Sequence, residues 1–179
     1  MNKIISTTVA LIVALIAALA ALPACAEDDF YAGAALGNKG TMIGSTGSTL
    51  PFKLYGGFAL TEHVAVEAGY TSFGVFEYSG DREIALRALS VAVKGSFAIT
   101  DSWSAFGKVG AARHVIDVKG TGLSVREQNK TTPMLGVGVG YKFTPNLTAD
   151  LELVSYGKIK LDNGRLAFRQ LQLGANYSF

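Results

Sequence analysis

The residues best suited to acid–base catalysis in this chain are its two histidines, His63 and His114. Nucleophilic catalysis needs a histidine beside a serine or cysteine nucleophile, together with a carboxylate that orients the histidine. The segment ARHVIDV places Asp117 near His114 but contains no serine, and Ser124 belongs to a separate loop. His63 adjoins a short polar turn. We therefore assign no catalytic residue and predict that the protein is not an enzyme.

Charged residues form the second group that could do chemistry. Each stands in a segment that alternates apolar with small or polar residues, on the side opposite the apolar ones. An isolated charge in a confined interior is costly, so such charges are expected to pair with one another. The paired charges would form either a static plug or the gate of a narrow path for water or ions. The candidates are Lys53, Glu67, Lys94, Lys108, Lys142, Asp150 and Glu152.

Period-two alternation dominates the chain and predicts β-strands. Three tight turns alternate with longer polar connections at 38–51, 74–83, 117–131 and 161–165. Short turns on one side and longer loops on the other are typical of outer-membrane barrels, whose short turns face the periplasm. The eight predicted strands are 29–37, 52–60, 63–73, 84–98, 102–116, 132–143, 147–160 and 166–179.

The apolar side of these strands is uniform, whereas the other side mixes Gly, Ala, Ser and single charges. A soluble protein would expose more charge than these strands carry. Because each unpaired backbone N–H or C=O is costly in hydrocarbon, a membrane sheet must close on itself. The fold expected is an all-β, eight-stranded antiparallel up-and-down transmembrane barrel. Aromatic residues at the predicted periplasmic strand ends suit a membrane interface: Phe30, Phe97, Trp103, Phe143 and Phe179.

The N-terminus predicts export. MNK is followed by a long uncharged apolar run and by Ala24-Cys25-Ala26, a small-x-small cleavage pattern. We expect a signal peptide at 1–26 and a barrel domain at 27–179. An uncleaved membrane anchor and a lipoprotein cut before Cys25 are the alternatives. Removing 1–26 leaves 15 Lys and Arg against 14 acids, which gives no electrostatic case for nucleic-acid binding.

Several segments resemble the OmpA-like transmembrane barrel family, including its small stand-alone members. They are FYAGAALG, VAVEAGYTSFG, LSVAVKGSFAIT, FGKVGAA, GVGVGYKFTPNLTADLELVSYG and LQLGANYSF. The resemblance implies that inward acids and bases plug or gate the barrel, and it assigns Glu67, Lys94, Lys108 and Glu152 to that role. Asp150 stands where the motif often has a base and Gly140 where it often has an acid, which implies altered pairing.

The terminal strand also resembles the signal that the barrel-assembly machinery recognises, through Leu171, Leu173, Ala175, Tyr177 and Phe179. We therefore expect a monomer in the cell outer membrane of a Gram-negative cell, with no cofactor. Its partners would be outer-membrane lipid or lipopolysaccharide, and assembly factors and periplasmic chaperones during biogenesis. The expected function is structural, supporting membrane integrity, with narrow-pore (porin-like) activity. The alternatives are a surface adhesin that binds host ligands or lipopolysaccharide through its loops, and, third, a lipid A-modifying enzyme.

Overall fold

The computed structural model describes residues 29–38, 41–42, 45–46, 50–78, 82–119, 128–161 and 164–179. The predicted signal peptide and Ser124 lie outside these residues. Within them, no helix has the length and hydropathy needed to cross a membrane.

Antiparallel pairing closes eight of the strands into a barrel, in the order β1-β10-β9-β8-β7-β6-β5-β4, which confirms the predicted fold. The two shortest strands, β2 and β3, pair only with each other. The strand bounds are β1 Phe30–Gly37, β2 Thr41–Met42, β3 Ser45–Thr46, β4 Phe52–Thr61, β5 Val64–Tyr78, β6 Arg82–Ala98, β7 Trp103–Lys119, β8 Gln128–Lys142, β9 Leu147–Leu161 and β10 Gly164–Ser178.

The last strand closes the barrel against the first. The register of β1 on β10 runs from Tyr31 opposite Ser178 to Gly37 opposite Gln172. The backbone N–H of Phe179 donates to the carbonyl of Phe30 over 3.0 Å. β1 pairs with β4 and β10, and β10 pairs with β1 and β9, so the first and last strands leave no free edge at this seam, as a hydrocarbon environment requires.

Three predicted connections are shorter than expected because the strands continue through them. β5 and β6 pair as far as Tyr78 opposite Arg82, so most of 74–83 is strand. β7 ends at Lys119 and β8 begins at Gln128, and β9 and β10 pair up to Leu161 opposite Gly164. Beyond the apolar band both faces of a strand can be polar, so the alternation disappears while the backbone pairing persists. The sequence pattern therefore detects the membrane-crossing part of a strand and misses its extension.

The barrel wall has apolar side chains outside and polar ones inside, the reverse of a soluble protein. On β6 the outward side chains Leu89, Val91 and Val93 are 46–59% exposed, while Ser90 and Ala92 are buried. Strands β4, β5 and β9 have the same predicted alternation. The outward face therefore meets lipid, and the inward face builds a polar core.

Aromatic side chains gather at one end of the barrel, the end where the tight turns lie. Phe30 and Phe179 rings lie 6.3 Å apart, and Trp103 and Tyr141 rings lie 5.0 Å apart. Tyr141 also packs edge-on against Phe143 at 4.8 Å. This arrangement matches the interfacial girdle of membrane barrels.

Candidate functional site

Four charged side chains from four strands meet in the centre of the barrel. Lys53 Nζ lies 2.9 Å from Glu67 Oε1 and 3.7 Å from Glu152 Oε2. Lys108 Nζ lies 2.8 Å from Glu67 Oε2 and 3.0 Å from Glu152 Oε2. Each lysine thus lies between the two glutamates, and all four side chains are almost fully buried. We call Lys53, Glu67, Lys108 and Glu152 the charge cluster.

Tyrosine and asparagine side chains complete the polar contacts of the buried acids. The Tyr31 hydroxyl donates to Glu67 Oε2 over 3.3 Å. Asp150, which the sequence identified as a departure from the family motif, makes no ion pair within the described residues. Its Oδ1 instead accepts hydrogen bonds from the Tyr55 hydroxyl at 2.8 Å and from Asn176 Nδ2 at 3.0 Å. Hydrogen bonds to neutral donors therefore stabilise this buried carboxylate.

Lys94, which the resemblance places in the charge network, makes no ion pair within the described residues. Lys94 lies directly opposite Lys108 in the β6–β7 register, so the two cations are cross-strand neighbours. Lys108 forms ion pairs with both glutamates. The Nζ atom of Lys94 instead lies over two aromatic rings, 4.6 Å from the centroid of Phe106 and 5.1 Å from that of Tyr31. An ammonium group is attracted to the face of an aromatic ring, so both rings stabilise the Lys94 ammonium. Its role in the charge network stays a prediction.

Lys53 takes the place in the cluster that the family motif assigned to Lys94. The alternation marked Lys53 as inward, but only the register shows that it reaches both glutamates. Lys142, also marked as inward, is exposed at the periplasmic end of β8 and lies outside the cluster. Together with the half-buried Lys94 and the buried Asp150, the cluster brings three lysines and three acids together, so these six described side chains have a formal charge of zero.

Side chains of neighbouring strands occupy the space beside several inward glycines. A Cβ atom at Gly33 would come within 2.6 Å of Tyr55 Cζ, and one at Gly57 would overlap the Tyr31 ring. A Cβ at Gly138 would lie 2.9 Å from Phe106 Cε2. The glycines make room for aromatic rings from neighbouring strands, so the space is filled.

An apolar layer lies on the outer side of the charge cluster. Tyr156, Met134 and Val154 are at most 1% exposed and pack with Phe73 and Leu86. The Phe73 and Tyr156 rings lie 5.1 Å apart in an edge-on contact. Side chains from β5, β6, β8 and β9 thus pack together in the barrel interior, which in an eight-stranded barrel is just wide enough for side chains. We call Phe73, Leu86, Met134, Val154 and Tyr156 the apolar layer.

A hydroxyl and amide network extends from Tyr156 of the apolar layer. The Tyr156 hydroxyl lies 3.1 Å from Thr71 Oγ1 and accepts a hydrogen bond from Gln172 Nε2 at 3.0 Å. Gln172 Nε2 also donates to Gln170 Oε1 over 2.8 Å. These buried polar side chains thus hydrogen-bond to one another inside the barrel.

His114 is a packed residue of the same region. Its Nε2 lies 2.9 Å from Thr132 Oγ1 and 3.1 Å from the carbonyl oxygen of Tyr156, and its ring stacks on Phe73 at 6.1 Å. These contacts support a structural role. His63 is exposed next to the β4–β5 turn. The interpretation of the protein as a non-enzyme stays a prediction.

Comparison with known proteins gives the same architecture. A family model described as "Outer membrane protein beta-barrel domain" matches residues 9–179. The chain is 26% identical to Outer membrane protein A of Escherichia coli O157:H7 over 193 residues, which cover 97% of this chain and 54% of that protein. The chain thus spans about half the length of this curated relative.

Solved barrels have similar folds at low sequence identity. The N-terminal β-barrel domain of Pseudomonas aeruginosa OprF matches with a TM-score of 0.61 at 19% identity, covering 86% of this chain and 98% of that one. Ail, the attachment invasion locus protein of Yersinia pestis, solved in complex with the heparin analogue sucrose octasulfate, matches with a TM-score of 0.56 at 21% identity, covering 84% and 97%.

The closed barrel and the match of the family model over nearly the whole chain lead to one assignment. The chain belongs to the outer membrane protein β-barrel domain family and is an OmpA-like, eight-stranded barrel of the outer membrane.

Proposed function

We propose that this protein is a sealed structural barrel that supports the integrity of the outer membrane. The observation that carries the proposal is the filled interior, in which the charge cluster and the apolar layer follow one another along the barrel axis. A solute crossing the barrel would have to pass both layers. Side-chain packing of this kind suits a protein that acts through its lipid-facing wall and does not conduct solutes through its lumen.

The charge cluster favours a static plug over a freely exchanging gate. Each lysine contacts both glutamates, so moving one lysine away leaves two buried carboxylates with fewer partners. Removing one member of a buried ion pair costs about 3–5 kcal/mol, because the remaining charge is left uncompensated. Narrow-pore activity would require that rearrangement together with displacement of the apolar layer.

A second candidate function is surface interaction, and the length of the outer strands supports it. β5 and β6 pair up to Tyr78 opposite Arg82, and β6 and β7 pair up to Glu83 opposite Lys119. These strands continue beyond the apolar band and form a raised edge on one side of the barrel. The attachment protein Ail has a similar fold, although the likeness concerns the fold alone.

A permeability assay in cells tests the proposal and separates the two candidates. Cells lacking the gene should take up more of a bulky antibiotic that an intact outer membrane excludes, and the wild-type protein should restore the barrier. A shortened variant joins Val75 to Ala85 and Val115 to Asn129 through Asn-Gly turns. Both pairs face each other in the register, so the remaining strands stay paired.

The shortened variant should restore the barrier as well as the wild type, with equal amounts of folded barrel confirmed by heat-modifiable gel mobility. Unchanged antibiotic uptake in cells that lack the gene would overturn the integrity role. If the folded, shortened variant does not restore the barrier, the function depends on the raised outer edge, which favours the second candidate.

A further inference from the structure

We propose that two outward arginines, Arg87 and Arg113, together with an apolar groove beside them, bind a phosphorylated and acylated lipid of the outer leaflet. The proposal requires the outer-membrane location and is independent of the sealed interior. Three observations carry it: the height of the arginines on the barrel wall, their position relative to each other, and the groove that begins next to Arg87.

Three outward arginines, on β6, β7 and β10, lie at similar heights. Arg87 stands eleven residues above the periplasmic end of β6 at Ala98, and Arg113 stands ten residues above the start of β7 at Trp103. Arg169 on β10 stands nine residues above the end of its strand, at Ser178. A rise of about 3.3 Å per residue with a tilt of about 40° converts ten residues to roughly 25 Å, the usual height of the apolar band.

All three arginine side chains are exposed on the lipid-facing wall. An arginine facing hydrocarbon at the bilayer midplane is strongly destabilising, whereas near the interface the cost is small. The height therefore places these guanidinium groups at the outer-leaflet head groups. Anionic phosphate groups at that level are the natural partners, because a guanidinium can donate two parallel hydrogen bonds to a phosphate.

Arg87 and Arg113 are close enough to share one phosphate. The β6–β7 register places Leu89 opposite Arg113 and Arg87 opposite Val115, so the two arginines are diagonal neighbours on the same face. Diagonal cross-strand neighbours lie about 7–8 Å apart, within the reach of long side chains. Strand tilt displaces each strand along the barrel axis relative to its neighbour. Arg87 and Arg113, although diagonal in the register, therefore lie at nearly the same height along the axis.

An open apolar groove of about 600 Å³ lies on the same wall, below Arg87. Its volume falls within the range of about 300–1,000 Å³ typical of ligand pockets. Ala68 is the smallest of the outward side chains that line it. Tyr70 stands opposite Leu89, one outward position below Arg87 on β6. The outward lining residues are Leu54, Ala68, Tyr70, Leu89 and Val91, and the inward positions Gly33, Tyr55, Gly69 and Ser90 complete the lining.

The combination selects a lipid rather than a free anion or a protein. A phosphate on the arginine pair would leave its acyl chain pointing toward the bilayer centre, along the groove over Ala68. A soluble anion would contact the arginines alone. Binding of a protein partner would not explain why the arginines lie at the level of the lipid head groups. Arg169 lies at the same height but outside the groove, which makes it a matched control.

The test is native mass spectrometry of the folded full barrel in a neutral detergent, with bis-phosphorylated lipid A as the probe and dephosphorylated lipid A as its comparison. Wild-type protein should retain the phosphorylated lipid more tightly. Arg87→Gln with Arg113→Gln should weaken retention by roughly tenfold or more, because hydrogen bonds to charged groups are each worth about that factor. Arg169→Gln should retain the wild-type affinity.

Filling the groove provides a second arm. Ala68→Phe should weaken retention of lipid A while leaving the binding of free inorganic phosphate unchanged. Equal retention by the wild type and the double arginine variant would overturn the proposal. So would an equal loss in Arg169→Gln, since that result would indicate a general attraction to positive charge. Displacement of the lipid by millimolar inorganic phosphate would overturn the role of the groove.

Discussion

Each lysine of the charge cluster lies within 3.7 Å of a carboxylate oxygen of both glutamates, because four strands bring these side chains to one level of the interior. Their alternation along each strand identifies them as inward, and this much is readable from the sequence. Which lysine reaches which glutamate depends on the register across the lumen, and alternation contains no information about register. That is why the alternation marks both Lys53 and Lys94 as inward without showing that Lys53 lies within 3.7 Å of both glutamates.

Replacing Glu67 with glutamine should destabilise the barrel. Lys53 and Lys108 would then share only the carboxylate of Glu152, and one positive charge would be left uncompensated in a buried site. We expect a loss of about 3 kcal/mol in the free energy of unfolding. A urea titration in detergent, followed by the fluorescence of Trp103, the single tryptophan, measures this change.

Lys142→Gln is the matched control. Lys142 also occupies an inward position in the strand alternation, but its side chain is exposed at the end of the barrel. Its unfolding free energy should stay within about 0.5 kcal/mol of the wild type. Lys53→Met added to Glu67→Gln should recover part of the loss, since it removes the excess positive charge. If Glu67→Gln costs no more than Lys142→Gln, the charge cluster does not stabilise the fold.

At the scale of elements, the junction of β8 and β9 differs from the other strand pairs. Within the described residues its backbone pairing stops at Leu135 opposite Ser155, although both strands continue outward. Gly157 has a φ of +82° there, and Pro133 has no N–H to donate. Side chains replace the missing backbone bonds: Thr132 Oγ1 donates to the carbonyl of Tyr156 over 2.6 Å, and His114 lies beside the same oxygen.

Thr132→Val should loosen this junction without changing the side-chain volume. Loss of one buried hydrogen bond costs about 1 kcal/mol, so amide hydrogen exchange in the outer half of β9 should accelerate roughly fivefold. Ser90→Ala is the control, because its bond to the Gly69 carbonyl supports strands that are paired continuously on both sides. Equal exchange rates in β9 of the wild type and Thr132→Val would contradict a side-chain role at the junction.

Much of the strand order could be predicted because lipid imposes a uniform apolar face over a fixed height. The outward residues Leu89, Val91 and Val93 illustrate how clearly that face appears in the sequence. The outer extensions, such as Val75 to Tyr78 of β5, were predicted as loop because no such contrast exists above the membrane. The β8–β9 junction was also missed, since side-chain hydrogen bonds to one carbonyl leave no periodic pattern.

At the scale of the whole molecule, the described residues form a lipid-facing wall around an interior that holds the charge cluster and the apolar layer. Aromatic residues mark its periplasmic boundary, and the outward arginines lie about one apolar band above them. Between these levels the charge cluster and the apolar layer occupy the lumen in sequence, with aromatic rings in the spaces beside inward glycines. A protein with this construction should insert stably and keep solutes out.

Single-channel recording in a planar lipid bilayer tests that central claim most directly. Folded wild-type protein, with insertion confirmed by its heat-modifiable mobility, should give no steady conductance steps across the usual range of voltages. The filled interior and the mutual pairing of Lys53, Glu67, Lys108 and Glu152 are the reasons for this expectation. Reproducible, long-lived conductance steps from the wild-type protein would contradict the account and show that the barrel is a pore.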